Sequence, residues 1–578
     1  MARPILVAAG LFILAGCGPQ GTADIQIVTV SDWHGQLDPL SETVNNVTTN
    51  YGGLGLLKTY VDQARAANPN TVLVTGGDNI GATPALSSIF DDKPAIEGLN
   101  FLGLEATTFG NHEFDHGTAA LKDRMSEATF KYVTTNLNNA HAELGDGPVY
   151  KFKMVELGDK SPKVKVAFLG LTNSDAALLT SSVGFGTLSV QDPVAAANQA
   201  AKDARAAGAA VVVALVHMGA TAKDVAGNPS GPGIDFASGL VGVDVVVADH
   251  TDITVNNTFG NALVVENRSK GRTYAKIQLH VVDGKVTEAP TAELLDPAGT
   301  ATIGNITCPA AACPSDYTCN AQSRCEKVLA TPDPAAAALL QPYRDQLSAH
   351  FDGRVTKTDQ VFIRNGTAER TGEVPIGDLI ADMMLERYRT SDGVQIAFTN
   401  GGGIRASLPS SYAPQDNTLV RVGCSAGTPC DVVAGDIYTV LPFGNALVVR
   451  TITGQVLWQA LEYSVGVMPA VSGRFLQIAG FRFTWSQGAP TGSRVQSVQL
   501  LDAQGNVIKD IAKDDATEYK MVTNDFTSGG GDGYSMLVLP QAPPVREVMA
   551  DVLLEYLKGK ASISPTSYLP ASRIIAVP

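Results

Sequence analysis

The chain has 578 residues, too many for one hydrophobic core, so two to four domains are expected. Hydrophobic residues make up 44% and charged residues 17%, which excludes a disordered chain. The formal net charge of −15 argues against binding a nucleic-acid polymer through overall charge, while leaving room for a small anion held by a few local cations.

In chain order, Arg3 and the apolar run "ILVAAGLFIL" form a signal-peptide pattern over residues 1–16, too short to span a bilayer. The following "LAGC" resembles a bacterial lipobox ending at Cys17, which would become the lipidated first residue of an exported chain. Gly18 rather than aspartate follows it, which favours the outer membrane or cell surface over inner-membrane retention. The lipid would be the only membrane attachment. The remaining six cysteines are an even number, as disulfides in an exported chain require. Cys424 and Cys430 flank a small loop and are expected to pair. Cys308, Cys313, Cys319 and Cys325 allow three connectivities, with a zinc knuckle as the competing reading.

Residues 24–300 alternate short β-rich runs with helical stretches such as "GLGLLKTYVDQARAA", the pattern of a layered α/β domain. Residues 301–333 read as a loop-like, cysteine-rich insert. "DPAAAALLQPYRDQLSAHF" reads as a connecting helix over 334–352, with Asp333 as cap and Pro334 in its first turn. Residues 353–578 form a second α/β region, with "GDIYTVLPF" and "FRFTW" taken as strands.

Chemistry gathers where the strands of the first region end. "IQIVTV" leads to Asp32 and His34, and "TVLVT" to Asp78. "ATTFG" leads to Asn111 and His112, "AAVVVALV" to His217, and "VGVDVVVA" to His250 and Asp252. Open α/β sheets place binding sites at the carboxyl ends of strands, so these side chains can converge. One buried histidine is more often a core residue than a ligand, and one aspartate after a strand is usually a cap or turn former. Five matching strand ends are not explained that way. Oxygen and imidazole donors suit zinc, manganese or iron, and these eight, or seven without His112, exceed the needs of one tetrahedral ion. Two ions about 3.5–4 Å apart would lower the pKa of a bridging water and clamp an in-line displacement at phosphorus.

The order "DWHG", "GGDN", "GNHEFD", "ALVHMG", "DHTD" resembles the calcineurin-like metallophosphoesterases, and "NGGGIRA", "LPFGN" and "NDFTSGGGDGY" resemble the C-terminal domain of the 5′-nucleotidases. The resemblance implies a four-layer β-sandwich-type catalytic domain joined by a linker helix to a smaller α/β substrate domain. It implies that Asp32, His34, Asp78 and Asp252 hold one divalent ion, and that Asp78, Asn111, His217 and His250 hold the other. Asp252 departs from the family, which usually carries His, Gln or Asn there. His112 and Asp115 match a catalytic dyad, in which an imidazolium steered by a carboxylate assists the leaving group. Glu113 and His116 have no such role and read as solvated or structural. Phe443 and Phe526 match two rings that sandwich a nucleobase, Arg370 and Arg405 match arginines that meet the phosphate, and Asn400 and Asp532 match contacts to base and ribose.

The expected reaction is hydrolysis of nucleoside 5′-monophosphates. On the same scaffold, 2′,3′-cyclic phosphodiesterase and nucleotide-sugar diphosphatase activities stand as alternatives. A thiosulfohydrolase and a ligand-binding lipoprotein without activity are more distant. The family also implies that the second domain rotates substrate toward the metals about a hinge near the linker helix.

Overall fold

Two sheets of mainly parallel strands face each other in the N-terminal half of the computed structural model. It describes residues 21–180, 184–308, 312–321, 323–539, 545–568 and 572–578; the signal-peptide stretch and Cys17 lie outside these. The first sheet runs Lys285–Val286, Tyr274–Val282, Ala23–Thr29, Thr71–Val74, Leu104–Thr107, Lys131–Thr134, Val149–Tyr150, and Thr291–Leu295 also pairs with Tyr274–Val282. The second runs Val255–Phe259, Ala262–Glu266, Val245–Ala248, Val211–Val216, Val164–Leu171, Lys153–Leu157. The central strands of each are parallel, so the carboxyl ends within a sheet share one edge.

Strand periodicity accounts for the layering. Ile25, Ile27, Val72 and Val74 point inward to meet Val166, Phe168, Val213 and Val247 of the facing sheet. The alternate residues Val28 and Leu73 point outward, under helices Gly53–Ala67 and Lys93–Leu102. On the far side Leu169, Val212 and Ala214 pack beneath helix Pro193–Ala206, whose inner face is Ala197, Ala200, Ala201 and Ala204. The result is a four-layer helix–sheet–sheet–helix domain. "VVVALV" is an unbroken apolar run because a strand covered on both faces has no solvent side.

The second domain is built on the sheet Leu476–Ala479, Ile396–Asn400, Glu518–Asn524, Ala446–Thr453, Val545–Val548. Helices Pro375–Arg389 and Met549–Lys558 cover one face. Helix Gly454–Val465 and a four-stranded sheet that includes Phe481–Ser486 cover the other. Between the domains runs helix Pro334–Phe351. Asp333 caps it by accepting the Ala335 N–H, and Leu340 and Leu347 sink into the first domain's core beside Tyr412 and Val433 of the second.

Two expectations change. The stretch 301–333 is not loop-like: Ala298–Thr307, Arg324–Val328 and Thr318–Cys319 extend the hairpin Leu40–Val44/Val47–Tyr51 into a five-stranded sheet. These strands carry no long apolar run, because the sheet lies at the surface and is largely half-buried or exposed. Disulfides Cys308–Cys319 and Cys313–Cys325 staple it, leaving none of the four thiolates free for zinc, and Cys424 pairs with Cys430. "GDIYTVLPF" is not a strand: Ala434–Val440 is helical. Asp436 reaches back to accept the Val433 N–H at 2.9 Å, and this helix start outweighs the β-branched composition.

Candidate active site

The five strand ends meet at one place. Asp78 sits at its centre, with Oδ2 3.1 Å from His217 Nε2 and 3.8 Å from His34 Nε2. His250 Nδ1 lies 3.0 Å from His217 Nε2. His34, Asp78 and His112 form one group able to surround a metal ion, and Asp78, His217 and His250 form a second. The Asp32 carboxylate accepts the His250 backbone N–H at 2.8 and 3.1 Å.

The donor set fits divalent metal. His34 Nδ1 faces the Gly81 carbonyl at 2.9 Å and His217 Nδ1 faces the Gly76 carbonyl at 3.1 Å. A carbonyl only accepts, so Nδ1 carries a proton and Nε2 is the nitrogen turned toward Asp78, the atom that ligation would use on losing any proton of its own. Asn111 Oδ1 is buried with no hydrogen-bond partner among the described residues, an acceptor waiting for a cation. Gly110 leaves the necessary room, since a Cβ there would stand 2.1 Å from Asp78 Oδ1.

Asp252 lines the same cavity but stands apart from both groups. Its Oδ1 accepts the Ser269 N–H and hydroxyl at 2.8 and 3.1 Å, and Arg268 lies 3.8 Å from its other oxygen.

Charge is balanced tightly here. Burial works against ionising Asp78, but His217, His112 and His34 hold its carboxyl well below the usual range. Burial likewise opposes a charge on His217, yet Asp78 and Asp32 push it up to about 10. Burial pushes Asp32 up to about 7, and burial together with His217 pushes His250 down to about 4. One carboxylate is thus ringed by imidazoles competing for few protons, which suits replacement of protons by cations.

His112 and Asp115 form a pair, Nδ1 to Oδ2 at 2.8 Å. Burial disfavours the imidazolium, but Asp115 and then Asp78 raise its pKa above the ordinary value. The ring of Phe443, from the second domain, lies nearly parallel to that of His112 with centroids 5.6 Å apart.

Other second-domain residues close the site. Arg405 is buried, with Nη2 3.4 Å from His34 Nε2, and its Nε and that of Arg370 have no partner among the described residues. Burial, then the facing Arg370 and Arg364, push Arg405 down to about 9. Such mutual repulsion is relieved by an anion. Asn400 donates to Asp532 at 2.7 Å and accepts from Asn524 at 3.1 Å. Phe443 and Phe526 line the same cavity, of about 670 Å³, as the metal-capable residues and the dyad. All fifteen sequence-predicted residues of the site outside the N-terminal stretch therefore border or sit in one space, except that His217 lies just behind its wall.

Several neighbours escaped the sequence reading. Arg364 and Lys270 also line the cavity. Glu113 is structural but not solvated: it is 2% exposed. Asp249 is wholly buried and accepts the Gly76 N–H at 2.8 Å. His116, by contrast, is exposed. The two buried acids lay inside the quoted motifs, but side chains that hold backbone carry no spacing signature.

Residues 25–239 match the calcineurin-like phosphoesterase family model, and residues 353–539 match the 5′-nucleotidase C-terminal domain. Among similar proteins, endonuclease YhcR of Bacillus subtilis is 26% identical over 96% of this chain, which spans 41% of that protein's length. A snake venom 5′-nucleotidase of Gloydius brevicauda is 25% identical, covering 92% of this chain and 86% of its own. The crystal structure of a 5′-nucleotidase precursor from Thermus thermophilus superposes with a TM-score of 0.77 at 25% identity, over 96% of this chain and 99% of that one.

Proposed function

From a chain that belongs to the two-domain 5′-nucleotidase family, a calcineurin-like phosphoesterase domain followed by a 5′-nucleotidase C-terminal domain, we propose a hydrolase that converts nucleoside 5′-monophosphates to nucleoside and phosphate. The observation that carries this reading is the single cavity shared by a metal-capable cluster, a His–Asp pair, two arginines whose Nε groups find no partner among the described residues, and two phenylalanines. A site for metal alone has no need of the rings, and a site for a nucleoside alone has no need of His112.

In this reading Asp32, His34 and Asp78 would hold one divalent ion, which Asp252 would join on leaving Ser269 and Arg268, and Asp78, Asn111, His217 and His250 would hold another, of zinc or manganese type. Bound, the two ions supply Lewis-acid polarisation of the phosphoryl oxygens and acidify a water. The protein's own residues do the rest. Arg370 and Arg405 fix the phosphate by charge-assisted hydrogen bonds. Phe443 and Phe526 take the base between their faces, and Asn400 and Asp532 take polar groups of base and ribose. Water attacks phosphorus in line and releases a proton to solvent, the bond from phosphorus to the 5′-oxygen breaks, and the departing oxygen receives a proton from His112, which solvent then restores. Asp115 orients that imidazole and favours its charged form.

Export and lipidation at Cys17 complete the proposal, and three disulfides support an oxidising compartment. Among the described residues no helix is long and apolar enough to cross a membrane. Fatty-acid labelling that disappears in Cys17→Ser tests the anchor.

The activity is tested by phosphate release from AMP, GMP, CMP and UMP, set against 2′,3′-cyclic AMP and a UDP-sugar. Faster turnover of the monophosphates supports the reading. Turnover confined to the cyclic or sugar nucleotides refutes it.

A further inference from the structure

Four of the proposed ligand residues, Asp32, His34, Asp78 and His250, adopt a backbone conformation that side-chain-bearing residues avoid. Asp32, Asp78 and His250 have φ of 40°, 48° and 88°. His34, with φ of 46°, donates its N–H to the Asp78 carbonyl at 2.9 Å, while in the other three the backbone N–H is donated to a buried carboxylate. Asp78 donates to Glu113 Oε2 at 2.9 Å, Asp32 to Asp249 Oδ2 at 3.4 Å, and His250 to Asp32 itself at 2.8 Å.

Glu113 is the most fully used of these acceptors. Besides Asp78 it takes the Asn79 N–H at 2.8 Å and the Gly110 N–H at 2.7 Å. It thereby ties the loop carrying Asp78 to the loop carrying Asn111. Among the described residues no lysine or arginine pairs with it. A carboxylate withdrawn from water without a cation is costly, and three converging N–H groups are what make it tolerable. An apolar residue could fill the space, but it could not hold three N–H groups of two ligand loops in a fixed arrangement.

We infer that Glu113 is a positioning residue for the metal centre: by gripping the backbones of Asp78, Asn79 and Gly110 it holds Asp78 in its left-handed conformation and sets it against Asn111. The inference rests on the metal-dependent reading above and adds a residue that touches neither metal nor substrate. Asp249 plays the corresponding part for Asp32.

The test is calorimetric titration of metal-stripped, full-length protein with Mn²⁺, comparing wild type, Glu113→Ala and Glu113→Gln, with circular dichroism and melting curves of the stripped proteins. Loss of outer contacts to a metal site weakens affinity by roughly 10–100-fold, and that loss is expected for the alanine variant. Glutamine keeps one oxygen for Asp78 and Gly110 but turns an amide N–H₂ toward the Asn79 N–H, so its affinity should fall between the two. Folded variants that bind Mn²⁺ as wild type does, with only a lower melting temperature, would overturn the inference and leave Glu113 a stability residue. If alanine prevents folding, the glutamine variant decides by the same criterion. A wild type that binds no Mn²⁺ or Zn²⁺ contradicts the metal-dependent reading itself.

Discussion

Phe443→Ala separates the two tasks open to this ring. The proposed task is to stack on the nucleobase. The structure also lays it against His112, centroids 5.6 Å apart and planes 20° from parallel, where it shields one face of the proposed acid. Stacking of a base on an aromatic side chain is worth about 1–3 kcal/mol, so losing it should lower kcat/KM for AMP by about 5- to 160-fold. Ribose 5-phosphate offers the same phosphoester without a base. Steady-state phosphate release from both substrates, by wild type and variant, gives the comparison. The prediction is a loss for AMP carried mainly by KM, with ribose 5-phosphate changed less than about threefold. Equal losses on both substrates, carried by kcat, would refute base stacking and assign the ring to His112.

Asp436→Ala should destabilise the protein by about 3–5 kcal/mol in urea titrations, since it removes a wholly buried carboxylate. That carboxylate takes Arg421 at 2.7 Å, the Ser410 N–H at 2.8 Å and the Val433 N–H at 2.9 Å. A loss below about 1 kcal/mol would contradict this account. The Tyr388 hydroxyl and the Arg387 guanidinium hold Glu547 down at about 2, below the ordinary value of about 4.3 for an unfolded glutamate. Its contribution is therefore present above about pH 4.3 and fades as pH falls toward 2. The stability gap between wild type and Glu547→Gln should be small, because the group is mostly solvated, and should narrow between about pH 5 and pH 2. A gap that widens on acidification contradicts the sign.

The catalytic domain was legible because its signals are local and repeated. Each strand read as an apolar run broken by a polar, metal-capable residue, and parallel sheets put those breaks at one edge. Helix Pro334–Phe351 was legible from Asp333 and Pro334. What escaped depends on partners distant in sequence. The insert's strands acquire their sheet only from the hairpin at 40–51, far earlier in the chain. "GDIYTVLPF" has a strand-like composition, and its helix start relies on Asp436 turning back to Val433 and on Arg421. Glu113 stood inside "GNHEFDHG", yet its three backbone partners become visible only when the loops after two neighbouring strands are brought together.

The central claim is that bound metal and His112 act together on a nucleotide phosphate. Its most direct test is AMP hydrolysis by protein stripped with a chelator and then restored with Mn²⁺ or Zn²⁺, in wild type and His112→Ala. The account predicts no release from stripped protein and recovery on adding metal. It also predicts a kcat about 10²–10⁴-fold lower in His112→Ala, which still binds the ion. Release that survives stripping, or a metal-loaded His112→Ala variant as fast as wild type, would contradict it.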